Sequence, residues 1–307
     1  MDYTKNLLPQ NRRQIFFDVL QLQWKKLLLL GLLLLLFYLP LLLSTVVKDV
    51  YVSNLYNALA DANNEQKLAA GQTLAILDLL RSLVNILFIL VFAVAFSGVL
   101  RTVRQYAWEE NVHLPTDIGK GIKDNYLQTA AIGALAGLIY TLCLMVYYTA
   151  SSYSVPTVAM LSMLPIGISV LVILPILMIS LTMVPVYSNR LWVTLKNAFF
   201  IYTRCLPKVL LGMLCCLAVW LPAAIPNFYC HVFGSVFGVL LTPISLLGWT
   251  LLCYNCFDQH LNPIVCPQLV GKGIVRDAEN NNNPHDNQHE LLWMAYYHLL
   301  YQNLSRF

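Results

Sequence analysis

The chain is 307 residues long, 58% hydrophobic and only 11% charged, with a mean hydropathy of +0.64. A soluble domain typically carries about 25% charged residues, so most of this surface faces something other than water. A net charge of +4, scattered along the chain, does not suggest a nucleic-acid partner.

Residues 1–26 come first. Ile15, Phe16, Val19, Leu20 and Trp24 recur at helical spacing among Arg, Gln and Asp. This predicts a helix lying in the membrane interface, with Trp24, Lys25 and Lys26 at headgroup level. Residues 27–47 form the first of six apolar stretches, each close to the length of about 20 residues that carries a helix across a hydrocarbon core of roughly 30 Å. The stretch is longer than the apolar run of a secretory leader, and Ala58-Leu59-Ala60 lies too far beyond it for cleavage. It reads as an uncleaved anchor.

The segment 48–72 is polar and rich in Asn and Ala, and is expected to be a loop. The second span follows at 74–100. Near its start, Asp78 and Arg81 stand three residues apart, on one helix face, as a pair that shields two charges near the interface. Between the second and third spans, a helix is expected to continue past Arg101, stop near Pro115 and restart under a Thr116 or Asp117 cap. Ile118, Ile122, Tyr126 and Leu127 give the restarted helix an apolar stripe, so it should lie along the membrane surface with Lys120, Lys123 and Asp124 on its other faces.

The third span covers 129–150 and the fourth 158–186. The fourth carries Pro165, Pro175 and Pro185, which predict a bent helix because proline lacks a backbone donor. A broken helix of this kind also lines cavities in transporters, which makes Pro165, Pro175 and the intramembrane Asn85 candidate cavity-lining residues. Residues 191–204 repeat the earlier surface pattern, with Leu191, Leu195, Ala198 and Phe199 as the stripe. Ile122-Lys123-Asp124-Asn125-Tyr126 and Leu195-Lys196-Asn197-Ala198-Phe199 thus occupy equivalent places ahead of a span, a weak internal repeat. The fifth and sixth spans cover 209–225 and 232–254. Residues 259–288 read as a polar linker ending in Asn-rich sequence, and 289–307 as a short amphipathic helix with Leu292, Tyr296, Leu300, Leu304 and Phe307 on one side.

With the N-terminus cytoplasmic, 16 of the 19 Lys and Arg residues fall inside, leaving only Lys48, Lys67 and Arg81 outside. That asymmetry is what the positive-inside rule requires, and with six spans it puts both termini in the cytoplasm. The fold expected is therefore all-α: a polytopic membrane protein with a 1–26 interfacial helix, six spans over 27–258, a 259–288 linker and a 289–307 helix.

Reactive chemistry is not evident. Glu109, Glu110 and His113 lie in a wet loop and read as a solvated or salt-bridged cluster. His285, Asp286, His289 and Glu290 have metal-ligating side chains without a defined geometry. Cys253 and Cys256 form a CxxC that lacks the second pair a zinc site needs. No phosphate-binding loop, nucleophile elbow, HExxH or dinucleotide fingerprint is present, so neither enzyme activity nor a cofactor is expected. Asp78 and Arg81 apart, no charged residue sits inside a span, which lowers the case for ion-coupled transport.

The stretch Gly121-Ile122-Lys123-Asp124-Asn125-Tyr126-Leu127-Gln128, with its flanking spans, resembles the first conserved block of YesL-like membrane proteins of Gram-positive bacteria. Residues 191–199, Leu-Trp-Val-Thr-Leu-Lys-Asn-Ala-Phe, resemble their second block, and Leu39-Pro40 in the first span also fits. The resemblance covers roughly residues 15–262 and leaves out the longer first outer segment and the C-terminal extension. It implies a multi-pass protein of the bacterial plasma membrane whose relatives are often encoded near carbohydrate ABC importers, and it brings no catalytic residue. An accessory or scaffolding role beside such an importer is the reading adopted, with Lys120, Lys123, Asn125, Lys196 and Asn197 as the candidate docking surface for transporter subunits. The alternative is a small-molecule transporter or channel whose path is lined by the kinked fourth span.

Overall fold

The computed structural model describes residues 9, 11–59, 63–151, 153, 155–187, 189–225 and 227–274. The described residues are helical nearly throughout, and six of the helical segments are long and apolar enough to cross a membrane. The expected all-α polytopic architecture is what forms. The predicted helix at 289–307, residues 275–288 of the polar linker and the His285–Glu290 cluster lie outside the described residues.

Helix α1 runs unbroken over Arg12–Ala58 and α2 over Asn64–Ala107. At 1.5 Å per residue, the 47 residues of α1 make a rod about 70 Å long, more than twice the hydrocarbon thickness. Two expectations are corrected here. Residues 12–26 do not form a separate interfacial helix. They continue into the first span, and Ile15 and Val19 are buried in the core. Nor is most of 48–72 a loop. Ala, Leu, Gln, Lys and Glu are good helix formers, and Asn63 with Gln66 makes a reciprocal capping box that starts α2.

Helix α3 spans Leu114–Ser151 without interruption. The expected surface helix over 117–127 is therefore the first part of a straight rod that continues into the third span. What holds it upright is a close crossing with α2. A Cβ on Gly121 would lie 2.8 Å from the Cα of Gly98, and one on Gly98 would lie 2.8 Å from the Ile118 side chain. Further along, Gly133 and Gly137, four residues apart, face Ile89 and Ile86 of α2. Small residues at this spacing let two membrane helices approach closely.

The fourth span is built in pieces: α4 (Pro156–Ser162), α5 (Leu164–Ile168), a wide turn of π-helix over Ser169–Ile173 and α6 (Leu174–Met183). Pro175 has no N–H to offer the Leu171 carbonyl four residues back. The Tyr202 hydroxyl donates to that carbonyl instead, at 2.7 Å. The expected bend is thus present, and a neighbouring helix satisfies the group that it frees.

Tyr202 belongs to α7 (Leu191–Leu217), which breaks at Cys205 (φ −116°, ψ 21°), two residues before Pro207. Here the expected sequence of amphipathic helix and span does form. A 3₁₀ turn (Ala218–Ala224) leads to α8 (Phe228–His260). In α8 half of the most apolar window is buried, against 22–33% in the other five spans. It is the central post. Helix α1 runs antiparallel along it, with Gly31 seated on the Leu240 backbone.

The main core is a continuous layer of apolar side chains from Ile15 and Leu27 through Val99, Ile179, Ile201 and Leu247 to Phe257 and Leu261, and a smaller second cluster groups Ile132, Leu177 and Val184. After α8 comes a one-turn helix, α9 (Asn262–Val265). Of the described part of the expected linker, 259–274, the first two residues end α8 and 261–274 is folded against the bundle, with Leu269 and Ile274 on the core and Gly273 on the end of α2.

Candidate functional site

One end of the bundle, called the basic end here, holds the start of α1, the α2–α3 connection, the 184–190 corner, the start of α7 and the end of α8. Arg12 on α1 makes an ion pair with Asp258 on α8, and both side chains are largely buried. The Asn262 amide donates to the other Asp258 oxygen at 2.8 Å, and the Tyr187 hydroxyl donates to the Asn262 oxygen. A second group forms around Trp108. The Arg104 guanidinium lies 4.6 Å from one indole ring and the Lys272 ammonium 3.9 Å from the same ring. Glu110 pairs with both, at 3.5 Å to Arg104 and 2.8 Å to Lys272. Arg104 also donates to the Pro185 carbonyl at 2.8 Å. The Trp108 and Tyr254 rings are 6.0 Å apart, and Arg12 sits over Tyr254 at 5.6 Å, so the two groups abut. Cation–π contacts of this kind strengthen when desolvated.

Charge at this end is tuned by burial and partners. Burial alone would raise the Asp117 carboxyl, but the Gln105 side chain, the His113 N–H at 2.7 Å and the charges of Arg101 and Lys120 hold it below its usual range. Glu109 is pushed up by burial and by nearby Asp18. Its backbone is left-handed (φ 54°), which turns the chain sharply after α2.

The candidate docking residues divide into two sets. Lys120, Lys123 and Lys196 are exposed. Asn125 and Asn197 are buried, at 7% and 6% exposure, so they cannot belong to an outward docking face. Each lies one or two positions beyond its lysine, and that step turns the side chain by a large part of a helical turn toward the bundle. Asp124 stays outside and pairs with Arg101 at 2.9 Å.

The candidate cavity residues do not converge. Asn85 lies between α1 and α2 and accepts a hydrogen bond from Ser44 at 2.8 Å. Pro165 is exposed and Pro175 buried, on either side of the π turn. The groove beside that turn, of about 360 Å³, is lined by Ile139, Cys143 and Tyr147 of α3 with Ile166, Val170 and Leu177 of the fourth span. Its walls are apolar.

At the far end, Asp78 pairs with Arg81 at 3.3 Å as expected, and also takes Lys48 of α1 at 2.7 Å and the Tyr148 hydroxyl of α3 at 2.6 Å. Three helices are thus tied through one carboxylate. Asp49 and His231 add a contact between α1 and α8 at 3.1 Å. Sequence reasoning found the i, i+3 pair but not its long-range partners.

No cluster of three or more metal-ligating side chains occurs among the described residues. Cys253 and Cys256 are both buried and unlinked. The arrangement at the basic end can hold helices together and present cations. Comparison with protein-family models, with curated proteins and with solved structures finds no match to this chain.

Proposed function

We propose that the protein is a structural or accessory component of a membrane assembly, with its basic end in the cytoplasm. The observation that carries this reading is the combination of an apolar core packed between the helices with cations at one end. The core runs continuously between the helices, and Lys120, Lys123 and Lys196 stand outward on α3 and α7. A partner with an acidic cytoplasmic surface fits that face. The resemblance to YesL-like proteins supports a carbohydrate ABC importer as the assembly and the bacterial plasma membrane as its place.

The test is affinity purification in mild detergent from cells carrying such an importer. The native chain should recover a permease or ATPase subunit, and the K120E/K123E/K196E variant should lose it while remaining monodisperse. Recovery of this chain alone would overturn the reading. A transporter role is second. The broken fourth span favours it, but the groove beside the break is apolar, and Asn85 is occupied between α1 and α2. Substrate-dependent uptake into vesicles holding only this protein would reverse the ranking.

A further inference from the structure

The buried cations at the basic end carry more donors than the described residues use. A guanidinium has five N–H bonds and stays charged in proteins. Arg12, only 8% exposed, gives one terminal nitrogen to Asp258. Its Nε and Nη1 are buried and meet no acceptor among the described residues. Arg104 gives Nη1 to the Pro185 carbonyl and lies on Glu110 through Nη2, and its Nε is likewise buried without an acceptor. Tyr254, 3% exposed, joins the two groups, and its hydroxyl has no partner among the described residues either. Arg12 sits over the Tyr254 ring, the Trp108 ring is 6.0 Å from that ring, and Arg104 stacks on Trp108. Arg104 and Arg12 are the two cations whose charge reaches the Tyr254 hydroxyl.

Acceptors are scarce in the same place. Arg104 and Lys272 share the one carboxylate of Glu110. Asp258 serves Arg12 and also accepts from the Asn262 amide. The next acid, Asp117, is engaged by the His113 N–H and the Gln105 side chain. Three cations thus meet two carboxylates around the Trp108 and Tyr254 rings. Buried polar groups are almost always hydrogen-bonded, and a buried charge short of acceptors is costly. One more monovalent anion would take up the free donors and neutralise the group.

The position limits the source of that anion. Arg12 and Trp24, the residue expected at headgroup level, stand on one continuous helix, roughly 18 Å apart at 1.5 Å per residue. A lipid phosphate is therefore too far away, and the anion comes from the water phase. The rim is formed by Lys272 and Glu110, which are 38% and 33% exposed, so the approach is from the cytoplasmic side. A divalent anion would overshoot the missing charge and leave a buried negative excess in its place.

We propose that the junction of α1, α2 and α8 binds a small monovalent inorganic anion of the halide class. The Arg12 guanidinium and the Tyr254 hydroxyl donate to it, and Arg104 is the second cation beside it. The ion would tie the first, second and sixth spans together at their cytoplasmic ends. The site is independent of the outward lysine face and of any partner protein.

The experiment uses bromide as the probe on the full chain in detergent. Crystals grown in sodium bromide should show an anomalous peak in contact with both the Arg12 nitrogens and the Tyr254 oxygen. In solution, replacing gluconate by bromide at constant ionic strength should raise the unfolding temperature saturably, by about 2 °C or more at a tenfold excess over Kd. Y254F removes one hydroxyl and should weaken bromide binding roughly tenfold. R12K keeps a charge for Asp258 but loses the planar fork, and should abolish the saturable rise. Absence of the peak from native crystals overturns the proposal, as does a water or a carboxylate of the chain itself at that position. An unfolding temperature that never saturates with bromide overturns it too, and so does sulfate competing better than chloride. For a variant that does not fold, the native-chain peak and titration decide the matter alone.

Discussion

Residues 114–128 of α3 and 191–204 of α7 stand in equivalent places ahead of a span. In both, a lysine points outward (Lys123, Lys196) while an asparagine close behind it is buried (Asn125, Asn197). Yet α3 goes straight on for 38 residues, and α7 breaks at Cys205. The difference lies in the residues within a few turns of each lysine. After Lys123 there is no proline, and Gly121 locks against Gly98 backbone to backbone. After Lys196 comes Pro207, which cannot donate to the Thr203 carbonyl and leaves the segment free to change direction. An amphipathic stripe thus sets which face of a helix is buried. Whether that helix stands up or folds over is set by nearby glycine contacts and prolines.

The comparison can be broken most forcefully at Gly121. The variant G121V drives a side chain into the α2 backbone and should cost roughly 3 kcal/mol, read as a large fall in the thermal unfolding temperature in detergent. On α7, G212A meets the Leu252 side chain at 2.6 Å and the Trp249 ring at 3.5 Å, side chains rather than backbone, and should cost clearly less. A cost for G212A equal to that of G121V would erase the proposed difference between the two units.

Next in size is Y202F, which strips the Leu171 carbonyl of its replacement donor and should destabilise by about 1 kcal/mol. A neutral result would mean that the π turn needs no support from α7. The variant P207A should leave stability nearly unchanged but straighten α7. Spin labels at the exposed positions 127 and 192 should then change separation by about 5 Å or more, because a kink above about 20° acts over some 20 Å of helix.

The smallest effect concerns Asp117. Its folded-state carboxyl titrates below its ordinary value, so its stabilising contribution is complete above the ordinary carboxylate range and is lost as pH falls through the folded value. The stability gap between the native chain and D117N should be full at pH 7 and shrink as pH falls below the ordinary carboxylate range through the folded value. A gap that does not shrink at all below that range would show that shape, not charge, matters there.

Legibility followed the range of the interactions. The spans, the bend at Pro165 and Pro175 and the Asp78–Arg81 pair depend on residues within a few turns and could be read directly. The helical start at Asn63 was also written locally, in its capping box with Gln66, but the polar composition around it reads as a loop. Gly98, Gly121, Gly133 and Gly137 carried a packing signal in the chain that hydropathy alone does not weigh. Nothing nearby announces that Arg12 meets a residue 246 positions away, or that Trp108 lies between Arg104 and Lys272. Such pairs exist only once the helices have been placed. The outward turn of the lysines and the inward turn of the asparagines likewise needed the neighbouring helix to be known.

The Arg12–Asp258 pair has a consequence for biosynthesis. Proteins are made from the N-terminus at about 5–20 residues per second, and early parts begin to fold first. The guanidinium emerges near the start of translation, whereas its counter-ion is made only after nearly all of the sixth helix. Until then the first helix is held chiefly by α2, as through Lys48–Asp78. The clasp between the first and the sixth helix therefore closes late, and a truncation before residue 258 should leave the first helix without it.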